Sequence, residues 1–210
     1  MGPAIITNGA SGFVNRLHGA LKSLNCDGPW GVALLAACLL LLLPAVLGEP
    51  GRVLLRYDRG ALLQGEWWRL LTAHVVHLGL WHAVLNAFGL ALMWALFARN
   101  YSPRAWLAIV LGAMAAVDAG LWFADSTTRW YVGSSGALHG VMAAGTLAHL
   151  RSGERDGWIL AGLLVAKLAY EHWVGALPLS GSAVVVDAHL YGVLGGVGVA
   201  AFLRPQRAPL

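Results

Sequence analysis

The chain has 210 residues, of which 58% are apolar and 11% charged, with a net charge of +4. That mixture, with a mean hydropathy of +0.65, excludes an ordinary soluble domain, in which about a quarter of the residues are charged. The basic residues sit singly or in pairs between apolar runs, which argues against a nucleic-acid-binding face and suits loops flanking membrane spans.

Taken in chain order, the pattern predicts an all-α polytopic membrane protein with six spans of roughly 20 residues. Residues 1–28 form a polar cytoplasmic tail, and residues 29–204 the membrane domain. Span 1 covers about 30–48; Glu49-Pro50 follows it where a cleaved signal would carry small residues, so it reads as a retained anchor. Cys26 and Cys38 have neither metal nor redox spacing and read as small hydrophobes. Residues 49–80 form a long first loop whose paired Trp67 and Trp68 and amphipathic pieces suit the interface. Span 2 covers about 81–98 and span 3 about 104–123, with Asp125 and Arg129 in the loop beyond. Span 4, about 135–150, is short: it covers about 24 Å against a core of about 30 Å, so one end should stop inside the membrane. Span 5 covers about 157–175, span 6 about 184–203, and residues 205–210 are a tail.

Six spans put both termini on one side. Cytoplasmic termini place Arg16, Lys22, Arg99, Arg104, Arg151, Arg155, Arg204 and Arg207 inside, against Arg52, Arg56, Arg59, Arg69 and Arg129 outside. That bias favours cytoplasmic termini.

Polar residues inside apolar spans are expensive and mark functional candidates. His82 and Asn86, four apart, share a face of span 2. Gly133-Ser134-Ser135-Gly136 opens span 4, and His189 lies near the start of span 6. Spans 2, 4 and 6 run in the same direction, so all these residues lie at similar depth near one face. Gly136 with Gly140, and Gly192 with Gly196, form small-residue faces that let two helices approach closely. Such an approach brings the Ser135 hydroxyl to the His189 imidazole, the pairing an activated nucleophile needs. The Ser135 amide, His82 and Asn86 can supply donors to an oxyanion. Asp187 lies about 200° around the helix from His189 and cannot orient it, so a dyad is expected.

In order, Trp68-Arg69, Thr72, His77, His82-Ala-Val-Leu-Asn86, Gly133-Ser-Ser135-Gly136 and Ala188-His189-Leu-Tyr-Gly192 with Gly196 resemble the motif set of the rhomboid intramembrane serine proteases. The resemblance runs from about residue 50 to the end and implies a six-helix rhomboid-like bundle. It implies Ser135 as nucleophile, His189 as general base, His82 and Asn86 as oxyanion donors, and Gly133 as a loop element beside the serine. Within the family the chain looks most like the rhombosortases, on Gly133-Ser-Ser-Gly-Ala-Leu-His-Gly140, Val186-Asp-Ala-His-Leu-Tyr-Gly192, and Lys167 with Tyr170-Glu171. The implied setting is a bacterial inner membrane with the site opening to the periplasm. The implied substrates are exported proteins carrying a C-terminal tail: a Gly-Gly-type motif, one transmembrane helix and a basic end.

Other readings stand beside this one. Ser135 also suits a helix N-cap, Ser134 is an adjacent rival, and His82 and Asn86 also suit interhelical packing. His139 reads as structural. Lys167 and Glu171, four apart, read as an intramembrane ion pair and as candidates for substrate recognition or gating between spans 2 and 5. Asp118 has no assigned partner. His74, His77, His149 and His172 lack partners at metal-ligand spacing, so neither metal nor cofactor is expected. A non-catalytic rhomboid-fold client binder and a small transporter are the rivals from other classes.

Overall fold

The computed structural model describes residues 7–176 and 184–206, with side chains from residue 14 onward. Arg207 and the segment 177–183 between the last two helices lie outside the described residues. The N-terminal tail is helical through much of its length, as α1 (Thr7–Ser23). Helix α2 (Gly28–Leu42) starts with Pro29 in its first turn, where a missing N–H costs nothing. Pro44 cannot donate to an α-helical ladder, and the chain passes through a 3-10 segment, Leu43–Leu47, into α3 (Gly48–Leu55).

The first loop is ordered throughout. Strand β1 (Tyr57–Asp58) pairs antiparallel with β2 (Trp130–Tyr131), two strands of two residues within a mostly helical fold. Asp58 then caps α4 (Arg59–Leu63) by accepting from the Gly60 and Ala61 amides at 3.1 and 3.2 Å. Arg69 opens α5 (Arg69–Thr72) and is buried. Its guanidinium donates to the Val53 and Arg56 carbonyls at 2.8 and 2.9 Å and pairs with Glu66 at 2.6 Å. Arg69→Ala would leave those acceptors without a partner, so it is expected to destabilise the folded protein by about 2–4 kcal/mol. Thermal unfolding in detergent checks this, with Arg129→Ala as the comparison.

Four further helices match predicted spans 2 to 5 within a few residues: α6 (Leu80–Phe97), α7 (Pro103–Ala119), α8 (Ser135–Ser152) and α9 (Asp156–Val174). The last, α10 (Asp187–Ala201), is shorter than the predicted span 6. The fourth helix is not distinguished by being short: α8 has 18 residues, as α6 does, and α10 has 15. Three stretches are long and apolar enough to cross a membrane by length and composition, namely Gly28–Leu55, Leu80–Asn100 and Pro103–Ala124.

Arginines close the helix ends. Arg59 gathers the carbonyls of Leu121, Trp122 and Asp125 beyond α7 at 2.9, 2.7 and 3.2 Å, with its guanidinium 4.8 Å from the Trp122 ring centre. Arg151, at the end of α8, does the same for Ala200, Ala201 and Leu203 at the end of α10. Arg99 beyond α6 bonds Asp27 ahead of α2 at 2.5 Å. The C-terminal ends of α6, α8 and α10 and the start of α2 therefore share one end of the bundle. The starts of α6, α8 and α10 share the other.

Helices α7, α8 and α10 form the tightest group. A Cβ on Gly140 would lie 2.6 Å from the Gly192 carbonyl oxygen, and one on Gly192 or Gly196 would overlap the backbone of Gly136 or Gly140. Backbone thus lies on backbone along the α8–α10 seam, as the two small-residue faces predict. Helix α2 packs on α6, α6 on α8, and α9 mainly on α8. Outer faces stay apolar, with Leu35, Phe88, Leu163 and Trp173 among the exposed residues, as a lipid-facing surface requires.

Candidate active site

The seam delivers the pairing at its upper end. Ser135 Oγ lies 2.9 Å from His189 Nε2, a hydrogen bond of ordinary length between two helices that start side by side. The adjacent serine turns elsewhere. Ser134 Oγ donates to Asn86 Oδ1 at 3.1 Å and lies 3.4 Å from His77 Nε2. Burial and the neighbouring His82 push His77, in the turn ahead of α6, down to about 4, so it is neutral at physiological pH. It cannot repel a cationic neighbour there.

Helix α6 supplies the opposite wall. The Leu78 amide donates to His82 Nδ1 at 3.3 Å, which leaves the ring hydrogen of the neutral imidazole on Nε2. That nitrogen faces the serine loop: a Cβ on Gly133 would sit 3.0 Å from His82 Cε1, 3.5 Å from Nε2 and 3.9 Å from Ser135 Oγ. Gly133 has φ +122°, a conformation side chains rarely adopt. Both its backbone and its neighbours therefore call for glycine. Its amide donates to the Ala73 carbonyl at 2.9 Å, and its own carbonyl accepts from the Tyr131 hydroxyl at 2.6 Å, which fixes the loop before α8. Asn86 spends one amide hydrogen on the His82 carbonyl at 2.8 Å, leaving the other free to donate.

Between α6, α8, α9 and α10 lies a cavity of about 240 Å³ lined by His82, Asn86, Ser135, Lys167 and His189 and by apolar side chains such as Met93 and Met142. Polar side chains from four helices thus meet at one concave place, the arrangement expected of a reaction site.

Two relations within the site were not visible along the chain. The first is Glu171. It does pair with Lys167 at 2.6 Å, as the four-residue spacing predicts, but its other oxygen lies 2.8 Å from His189 Nδ1. His189 therefore has a carboxylate partner, contrary to the expectation that it has none; the partner comes from α9, not from Asp187 on its own helix. Residues 18 apart on two helices meet only through the rotation of both, which spacing alone cannot give. The second is His139, whose ring stacks on His189 at 4.1 Å and 19°, with Nδ1 2.6 Å from the Ser135 carbonyl.

His139, Glu171 and His189 bring one ligand atom each within 4.8 Å. Nearly parallel rings direct their in-plane lone pairs side by side, whereas a tetrahedral metal needs them to converge. These donors are better matched to the hydrogen bonds they already make. His149, Glu154 and Asp156 form a second such group in the turn between α8 and α9, with both acidic residues exposed. Asp118 finds its partner in His74 at 3.4 Å, away from the cavity. His172 lies against Trp173 on α9, and Cys26 and Cys38 are free thiols.

The family model for the rhomboid domain matches residues 64–206. The chain is 26% identical over 140 residues to YdcA of Bacillus subtilis, whose name assigns it to the rhomboid proteases, covering 67% of this chain and 68% of that one. It is 28% identical over 158 residues to the rhomboid protease GluP of the same organism, covering 72% of this chain but only 29% of GluP. The matched region holds every candidate residue above, and the chain belongs to the rhomboid family of membrane-embedded serine proteases.

Proposed function

We propose that this protein hydrolyses peptide bonds in single-span membrane proteins, with Ser135 as nucleophile and His189 as general base. The observation that carries the reading is the 2.9 Å contact between Ser135 Oγ and His189 Nε2 at the head of a cavity. In the first half-reaction Oγ bonds to the scissile carbonyl carbon while its proton passes to His189 Nε2. Three donors meet the charge that develops on the former carbonyl oxygen: the Ser135 amide, which as a first-turn N–H has no helical partner, His82 Nε2–H and the free Asn86 amide hydrogen. Collapse breaks the C–N bond, and His189 hands its proton to the departing amine. Water then attacks the acyl ester through the same histidine, and Ser135 Oγ recovers a proton.

The membrane arrangement we infer has six spans, with α8, α9 and α10 joining the three longer apolar stretches. The arginines at the shared end of α6, α8 and α10 support cytoplasmic termini. Their opposite ends, with the site, then face the exported side of a bacterial inner membrane.

For substrate we favour the rhombosortase-like class, on the Gly-Ser-Ser-Gly-Ala-Leu-His-Gly run and on Lys167 and Glu171 beside the site. A Gly-Gly pair ahead of a substrate helix weakens it by about 1 kcal/mol per residue relative to alanine, which helps a strand-like segment reach the serine. The test is co-expression with an exported reporter ending in Gly-Gly, one apolar helix and a basic tail. Processing of that reporter, and not of its Leu-Leu counterpart, is expected. Cleavage of unrelated single-span reporters with the tailed one untouched makes the protein a general rhomboid protease. Absence of any cleavage, together with no fluorophosphonate labelling of Ser135, favours a client-binding role.

A further inference from the structure

We infer that Glu171, clamped by Lys167, is a positioning residue for His189: it fixes the ring tautomer that accepts the Ser135 proton. This rests on the Ser135–His189 reading and adds a third and fourth member to it. The four groups form a continuous chain, with Lys167 Nζ to Glu171 Oε1 at 2.6 Å, Glu171 Oε2 to His189 Nδ1 at 2.8 Å, and His189 Nε2 to Ser135 Oγ at 2.9 Å. Glu171 and His189 are each 3% exposed.

A carboxylate accepts only, so the hydrogen of a neutral His189 must sit on Nδ1, and Nε2 presents its lone pair to the serine. When Nε2 takes the serine proton, the imidazolium keeps Nδ1–H against the carboxylate, which does not itself become protonated. The proton goes on to the leaving amine. An isolated carboxylate buried among lipid-facing helices would be costly, and Lys167 supplies the compensating charge. The ammonium, by donating to Oε1, also dictates which way any group at position 171 can point.

That last property makes the inference testable without a known substrate. In Glu171→Gln, Lys167 can only donate, so it holds the amide oxygen and turns the amide nitrogen toward His189. The NH₂ then donates to Nδ1, the ring hydrogen moves to Nε2, and the serine faces a donor instead of an acceptor. Glu171→Gln should slow fluorophosphonate labelling of Ser135, in the purified full chain, by about 10²-fold or more; loss of the orienting carboxylate costs up to about 10⁴-fold in soluble serine proteases. Lys167→Met combined with Glu171→Gln frees the amide to flip and offer its oxygen to Nδ1, and should recover at least about tenfold of the loss. A purely structural role predicts the opposite, because the double variant removes one more contact.

Three results bear on it. Labelling of Glu171→Gln at the wild-type rate, with His189→Ala unlabelled, overturns the positioning role and leaves the Ser135–His189 pair intact. A double variant no faster than Glu171→Gln overturns it too. Wild-type labelling in His189→Ala would remove the pair itself, and this inference with it. If Glu171→Gln does not elute as a folded species, Lys167→Met/Glu171→Met substitutes an apolar pair of similar volume, a change that buried ion pairs often tolerate. It should fold and label at least about tenfold more slowly than wild type, because no acceptor then holds the ring hydrogen on Nδ1, and labelling at the wild-type rate overturns the assignment.

Discussion

Ser135→Ala is expected to lower the cleavage rate by about 10⁴-fold or more while leaving the fold intact. The side chain is hydrogen-bonded to His189 Nε2, and removing it is expected to cost about 1 kcal/mol of stability and to move the melting temperature by only a few degrees. Chemistry suffers far more, because among the described residues no other hydroxyl stands at that nitrogen. Ser134, the immediate neighbour, is bound to Asn86 at 3.1 Å and faces His77. It cannot replace Ser135 without unwinding the first turn of α8. Members of a catalytic unit are also strongly non-additive: once one is gone, the rest have nothing to act on. His189→Ala should therefore lose about as much activity as Ser135→Ala, and the double variant no more than either. Rates on a cleavable membrane reporter, read beside thermal unfolding of the same preparations, decide it. A Ser135→Ala protein that still cleaves would remove the nucleophile assignment.

The largest effect on folding is expected at Gly192. A side chain there would occupy the space of the Gly136 carbonyl oxygen, backbone that belongs to the opposite helix. No rotamer change relieves such a clash, so α8 and α10 would have to separate. Parting them also pulls Gly196 from Gly140 and disturbs the close approach of Gly195 to Gly112 on α7. Gly192→Leu is therefore expected to cost more than about 4 kcal/mol, a large share of the stability of an ordinary domain. Gly198 is the control. It lies on the same helix, where an added Cβ would have nothing within 4 Å, and Gly198→Ala should stabilise by up to about 1 kcal/mol through helix propensity alone. Yield of monodisperse protein and its unfolding temperature distinguish the two. Equal stability for both variants would mean that the seam is not close-packed.

The meeting of Ser135 and His189 was legible in the sequence for a definite reason. Small residues four apart mark helix faces that approach closely, and both functional residues stand beside such faces. His82 and Asn86 were legible because four residues close one turn. Glu171 is not legible as a partner of His189, because the pairing depends on how α9 is rotated against α10, and both helices are apolar on several sides, so periodicity selects no face. The same limit hid the pairing of His74 with Asp118. The short strand of the first loop is not legible in the sequence. Two residues of β-structure leave no alternation to detect, and β1 finds its partner more than 70 residues away. The expected shortness of the fourth helix is not confirmed: Gly153 adopts φ +76° and ends α8 after Ser152, two residues beyond the end of the apolar run.

Backbone contact along the α8–α10 seam also limits where this protein can change its preferences. Carbonyls and α-carbons have no alternative shapes to select, so drift or design at that seam trades against folding itself. The cavity wall is different in kind: Leu85, Met93 and Met142 are flexible apolar side chains bordering the same space as Ser135, and Met in particular adapts its shape at little cost. An engineer wishing to retarget the enzyme would randomise those three positions and leave the glycines alone, in effect exchanging the mould while keeping the press.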